Sequence, residues 1–187
     1  LNQNIEVITS NFRAGKIDAA VIWEPTASRL VEEGLAKRVA SGANSSENDA
    51  GFLAMRNDLI QKRPDIVKAW LNAELDAQLY LADEKNAAEV TKSIAEQTTG
   101  FSPRVLWKSL YGEYGPNEGG VKTRLVMPFG FTPEAMEHLS KSTAFLFEMK
   151  SVNAAKMRPE AVMKEFTEQI LKERNLKAPV GDVSTLP

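Results

Sequence analysis

Residues 17–23 read Ile17-Asp18-Ala19-Ala20-Val21-Ile22-Trp23, an apolar run too continuous for a strand with one wet face. A run of this kind, rich in β-branched residues, predicts a strand buried on both sides, and such a strand needs neighbours in a sheet and helices above and below. Helical signals flank it. Ile5, Ile8 and Phe12 fall at helical spacing, and Gly15 sits where a helix ends in the left-handed region. Pro25 marks the next helix start, where its missing N–H costs nothing; Ala27, Leu30 and Val31 form the apolar side and Gly34 the stop. Leu35–Ala40 reads as a second strand, Ser41–Asp49 as a polar loop, and Gly51–Met55 as a third strand. This alternation is that of an α/β fold.

From Asn57 onward the pattern is almost entirely helical. Helix starts are signalled by proline at the first helical position in Arg63-Pro64, Ser102-Pro103, Thr132-Pro133 and Arg158-Pro159, with Ser102 and Thr132 as N-caps. Val67, Leu71, Leu75 and Leu79 recur at four-residue steps after Pro64, with Ile66 and Trp70 alongside. Further helices are set out by Ala87, Val90 and Ile94; by Val105, Leu106, Leu110 and Tyr111; by Met136, Leu139, Thr143 and Phe147; and by Val162, Phe166 and Ile170. Gly112–Phe131 breaks the pattern: it is rich in glycine, with a strand signal only at Val121–Met127, and reads either as a surface connection wrapped over a lobe or as a functional or mobile loop. Three short strands apolar on both faces do not make an open sheet, which typically holds about 4–6. The expectation is therefore a fold whose sheets are only partly present, the rest lying on a segment before Leu1.

Composition narrows the function classes. The 187 residues are 43% hydrophobic and 26% charged, the net charge is -2, and no basic block is present to neutralise a run of phosphates. The absence of cysteine removes disulfides, thiolate nucleophiles and sulfur-ligated zinc. No apolar run approaches the roughly 20 residues that cross a bilayer. His138, the one histidine, lies in a predicted helix beside Glu134 and Glu137, which points to a surface position rather than a catalytic or metal-binding one. Gly119-Gly120 lacks the lysine and hydroxyl of a phosphate-cradling loop.

The stretch Phe12-Arg13-Ala14-Gly15-Lys16-Ile17-Asp18-Ala19-Ala20-Val21-Ile22-Trp23-Glu24-Pro25 resembles the second lobe of nitrate/sulfonate/taurine-type periplasmic substrate-binding proteins, a group that also includes binders of thiamine precursors. Ser41-Gly42, Arg56-Asn57-Asp58-Leu59-Ile60 and Arg63-Pro64-Asp65-Ile66-Val67-Lys68-Ala69-Trp70-Leu71 continue the likeness, which runs to the helix ending near Lys150. The resemblance implies an α/β chain that is the C-terminal portion of a two-lobed type II periplasmic-binding-protein fold, helix-rich, with part of the sheets missing. Residues 1–43 would end the second lobe, 44–56 would be a hinge crossing, and 57–187 would form the helical part of the first lobe. Hinge closure of two lobes on a small-molecule ligand, and recognition by an ABC permease in the inner membrane, follow from the same likeness, as does a periplasmic location.

Trp23 and Glu24 stand where a predicted strand gives way to a helix, the usual place for ligands in open α/β sheets. An indole offers a flat apolar wall and one N–H donor, and a carboxylate accepts hydrogen bonds from an ammonium or amino-pyrimidine. In taurine-type relatives the matching acidic residue is implied to face the ligand's amino group; without that likeness Glu24 reads as a solvated carboxylate at a helix start and Trp23 as core. Ser41, Gly42 and Ser45, with Asn44 and Ser46, form a polar loop that either binds sulfonate or carboxylate oxygens or is simply a turn at the hinge. Trp107, Tyr111 and Tyr114 read as core aromatics before cleft residues. The leading expectation is thus a substrate-binding component of an ABC importer, taking a sulfonate- or nitrogen-containing solute with no cofactor and no turnover. The competing expectations are an enzyme on the same scaffold, a pyrimidine synthase or a desulfinase-like hydrolase, and the ligand-sensing domain of a regulator. The synthase is disfavoured by the remote histidine and the missing cysteine.

Overall fold

The computed structural model describes residues 3–45 and 50–187. Most of the expected helices form where their start and stop signals stand. Asn4 caps α1 (Ile5–Arg13), its side-chain oxygen accepting the backbone N–H groups of Glu6 and Val7 at 3.1 and 3.2 Å, and Gly15 follows at φ 65°. α2 (Thr26–Glu32) begins just after Pro25 and is closed by Gly34 at φ 71°. α3 (Asn57–Lys62) precedes α4 (Pro64–Ala82); α5 (Ala87–Gln97), α6 (Pro103–Leu110), α7 (Pro133–Glu148) and α8 (Glu165–Glu173) complete the helices of the described residues. Ser102 and Thr132 cap α6 and α7 through bonds of 3.2 Å to the N–H groups of Val105 and Ala135. Pro159 opens only a 3-10 turn over Pro159–Ala161, and Val162 is extended, so α8 starts at Glu165.

The strands differ from expectation. Among the described residues the only sheet pairs β1 (Thr123–Leu125) with β2 (Val183–Ser184). Ile17–Trp23, Leu35–Ala40 and Gly51–Met55 lie outside helix and strand, with Val21 97% and Val39 77% exposed. The physical reason is pairing: a strand apolar on both faces is held only by neighbours in a ladder, and these segments have no such ladder among the described residues.

The chain forms two compact units, Leu1–Glu47 with Glu84–Arg124 and Ser184–Pro187, and Asn48–Asp83 with Leu125–Val183. α5 and α6 belong with the N-terminal residues because α6 packs on both α5 and α2, burying Leu30, Val90, Val105, Leu106 and Tyr111. The expected crossing at 44–56 is described only at its ends, since Ser46 and residues 47–49 lie outside the described residues.

In the second unit α4 packs on α8. Leu75, Phe129 and Ile170 form the buried centre, flanked by Leu71, Leu79, Leu171, Leu176 and Val180. Full burial of each Leu or Ile side chain contributes roughly 1.5–3 kcal/mol. Lys68–Glu173 and Arg174–Asp76 ion pairs, at 2.7 and 2.6 Å, border the same helix pair at exposed positions where each contributes little. α7 has no buried residue, and His138 on it is half-buried.

Candidate functional site

The Trp-Glu-Pro segment enters α2, and Glu24 is fastened from two sides. One carboxylate oxygen accepts the backbone N–H of Ser28 at 3.0 Å, closing the first turn of α2, and the other pairs with the Arg38 guanidinium. Both side chains are largely sheltered, Glu24 at 26% and Arg38 at 14% exposure. In this arrangement Glu24 acts within the first unit, as a helix-start acceptor and as the counter-ion of Arg38. Trp23, next to it, is 60% exposed and so is not the core residue of the alternative reading.

Arg38 continues the network. Its Nε donates to the Glu118 carbonyl at 3.0 Å, and its guanidinium carbon lies 4.4 Å from the centre of the Tyr114 ring. Tyr114 is buried, with its hydroxyl 2.8 Å from the buried Ser28 hydroxyl. Two further cations sit over the same ring: Lys108 Nζ at 4.6 Å and the Arg124 guanidinium at 4.8 Å from its centre. Lys108 also donates to the Glu113 carbonyl at 2.6 Å, and Arg124 to the Ser109 carbonyl at 2.8 Å. Burial pushes the Tyr114 phenol above its ordinary pKa, partly offset by the bond to Ser28. Burial also pulls the Arg124 guanidinium below its ordinary value, and the positive charge of Arg38 adds to that.

A shallow apolar hollow of about 240 Å³ lies beside this network, lined by Glu24, Pro25, Ile94, Thr98, Phe101, Leu106, Ser109 and Leu110. Two of its lining residues connect it to the cations: Glu24 holds Arg38, and the Ser109 carbonyl holds Arg124. The walls are supplied by α5, α6 and the start of α2, so helix packing in the first unit shapes the hollow.

Ser41, Gly42 and Ser45 lie in a tight turn. Gly42–Asn44 is a 3-10 turn in which the Ser41 N–H donates to the Asn44 side-chain oxygen at 2.8 Å. The Ser41 hydroxyl donates to the Gly119 carbonyl at 2.8 Å, and the Ser45 hydroxyl to the Gly42 carbonyl at 3.1 Å. This loop still matters to the site, because Ser41 fixes the segment that carries Tyr114 and Glu118. Gly119 is at φ 75° and packs directly on Ser41, an approach that a Cβ would block.

Of the residues the sequence singled out, the structure joins Glu24 to Arg38 and Tyr114, and Ser41 to Gly119 of the same segment. Gly112–Phe131, which the sequence left open between a wrapping connection and a functional loop, is the further contributor. It supplies Tyr114, Glu118, Gly119 and Arg124 to one place. Among the described residues no cluster of three metal-ligating side chains occurs, and no helix is long and apolar enough to cross a membrane.

No curated protein and no solved structure matches the chain. The helix-rich chain, with one small sheet among the described residues, agrees with part of a periplasmic-binding-like α/β fold. Residues 5–95, which include Trp23, Glu24, Arg38 and Ser41, match the NMT1-like family, and this similarity supports a solute-binding protein of the broad nitrate/sulfonate/taurine-binding kind.

Proposed function

We propose that the protein is the substrate-binding component of an ABC importer, working in the periplasm and binding a small sulfonate- or nitrogen-containing solute without chemical turnover. The observation that carries this reading is the hollow beside the Glu24–Arg38 pair, of whose lining Glu24, Pro25 and Ile94 fall within the region similar to the NMT1-like family. Its apolar lining and few convergent polar groups are the ordinary make-up of a small-ligand site. At about 240 Å³ it suits a solute of a few heavy atoms, or one end of a larger one. The exposed indole of Trp23, next in sequence to Glu24, is available to a solute as an apolar surface.

A thermal-shift screen tests the proposal, with taurine, alkanesulfonates, nitrate, aminopyrimidines and aromatic carboxylates as the panel. A ligand held at 100 times its Kd adds roughly 2.7 kcal/mol, a readily visible rise in Tm. The proposal expects at least one member to raise Tm and to be recovered chemically unchanged. A member that is consumed points instead to an enzyme on this scaffold, and a panel without any shift removes the solute reading.

A further inference from the structure

Three cations and one carboxylate meet around Tyr114. Arg38, Lys108 and Arg124 all lie over its ring at 4.4, 4.6 and 4.8 Å from the centre, and among the described residues Glu24 is the one side-chain carboxylate bonded to any of them. A ring has two faces, so at least two of these cations share one. Cation–π attraction holds each individually but does nothing for the repulsion between them. That repulsion is felt in a sheltered place: Tyr114 is buried, and Arg124 Nε is buried with no hydrogen-bond partner among the described residues. A buried donor left unpaired and a surplus of positive charge are both costly, and one bound anion with several acceptor oxygens answers both.

From this arrangement we infer that Arg38, Lys108 and Arg124 form an oxyanion subsite around Tyr114 that takes the sulfonate, sulfate or carboxylate group of a solute. The inference rests on the solute-binding reading of the same site and gives it a polarity: the anionic end of the solute lies at the cations, the rest beside the apolar hollow. Glu24 is then a positioning residue. It holds Arg38 and offsets part of the charge, and it is not the partner of a ligand ammonium. Tyr114 is the platform on which the cations are stacked, itself anchored by the Ser28 hydroxyl.

Calorimetric titration of the full chain with sodium sulfate and with methanesulfonate, at constant ionic strength, tests the subsite. The comparison set is Arg38→Gln, Lys108→Gln and, as a remote control, Lys141→Gln on α7, with far-UV circular dichroism confirming the fold of each. Lys108 is partly exposed and the more secure of the two cluster variants. The expected result is saturable binding of both anions, weakened at least tenfold by Arg38→Gln and by Lys108→Gln and unchanged by Lys141→Gln. No saturable binding of either anion, or equal binding in all four proteins, overturns the subsite. If an uncharged aminopyrimidine raises Tm while the anions fail to bind, the subsite is overturned and the solute-binding function stands. If sulfate alone binds in the expected pattern while methanesulfonate and every other organic solute fail, the subsite is one for an inorganic anion and the organic-solute reading falls.

Discussion

Arg38 is stacked on Tyr114, its guanidinium carbon 4.4 Å from the ring centre, across 76 positions of sequence (114 − 38). The contact ties the segment after α2 to the glycine-rich segment after α6. Tyr114 is held in turn by its hydroxyl contact to Ser28 in the first turn of α2. A single aromatic residue thus links the start of α2, next to Glu24, to the three cations that surround the ring.

Removing only the Tyr114 hydroxyl separates that anchor from the platform. Tyr114→Phe keeps the ring and leaves the buried Ser28 hydroxyl short of a partner, a loss of about 1 kcal/mol. Tyr114→Ala removes the ring as well and is expected to cost about 3–5 kcal/mol. Urea denaturation of both variants checks the ratio. Equal losses would mean that the stacked cations contribute nothing through the ring.

Glu24→Gln breaks the ion pair with Arg38 while keeping an oxygen for the Ser28 N–H. A fully buried pair loses about 3–5 kcal/mol when one partner goes, and partial exposure here lowers the expected loss to about 1–2 kcal/mol. Chemical denaturation measures it, and an unchanged midpoint would show that the pair does not hold the site.

The segment Gly115–Gly120 is expected to discriminate sharply between its glycines. A Cβ on Gly120 would collide with the backbone carbonyl of Tyr114, whereas one on Gly115 would meet only the flexible Glu118 side chain at 3.4 Å. Gly120→Ala is therefore expected to destabilise the protein by about 2–3 kcal/mol and Gly115→Ala to have little effect. Melting temperatures of the two variants decide this, and similar values would contradict the described path of the segment.

Much of the helical framework was legible, and the sites of failure share a cause. Pro64, Pro103 and Pro133 each open a helix, and Gly15 and Gly34 each close one, because these signals act within a single turn and need no partner. The strand signals at Ile17–Trp23, Leu35–Ala40 and Gly51–Met55 depend on neighbours, and local composition does not report whether a ladder is there to receive them. The site was legible only in part, for the same reason. Trp23 and Glu24 stood out from a local motif, but Arg38, Lys108 and Arg124 are ordinary surface-type cations until packing gathers them round Tyr114. Ser41 and Ser45 read equally as ligand donors or as turn residues because hydroxyl-rich turns and anion sites use the same residue types.

Acid is expected to weaken the fold through paired glutamates. A hydrogen bond from Arg13 holds Glu33 below its usual value near 4.5, against the opposing effect of desolvation, and bonds from Lys68 and Gln169 do the same for Glu173. A carboxyl with a depressed folded pKa stabilises fully above its ordinary value and loses that contribution as pH falls through the folded one. Tm should therefore be flat in this respect from neutral pH to about 5 and fall below about 4.5, less steeply in Glu33→Gln. Added salt should shrink the difference between the two proteins, since Arg13 and Glu33 are both solvent-accessible. Parallel acid profiles for the two would contradict the assignment.

Solute binding is the central claim, and isothermal titration calorimetry with the panel of small sulfonates, nitrogen compounds and carboxylates tests it most directly. The expected result is saturable one-to-one binding of at least one solute, recovered unchanged and weakened about tenfold, or roughly 1.4 kcal/mol, by Trp23→Ala. Absence of saturable binding across the panel, or heat from continued conversion of a solute, would contradict it.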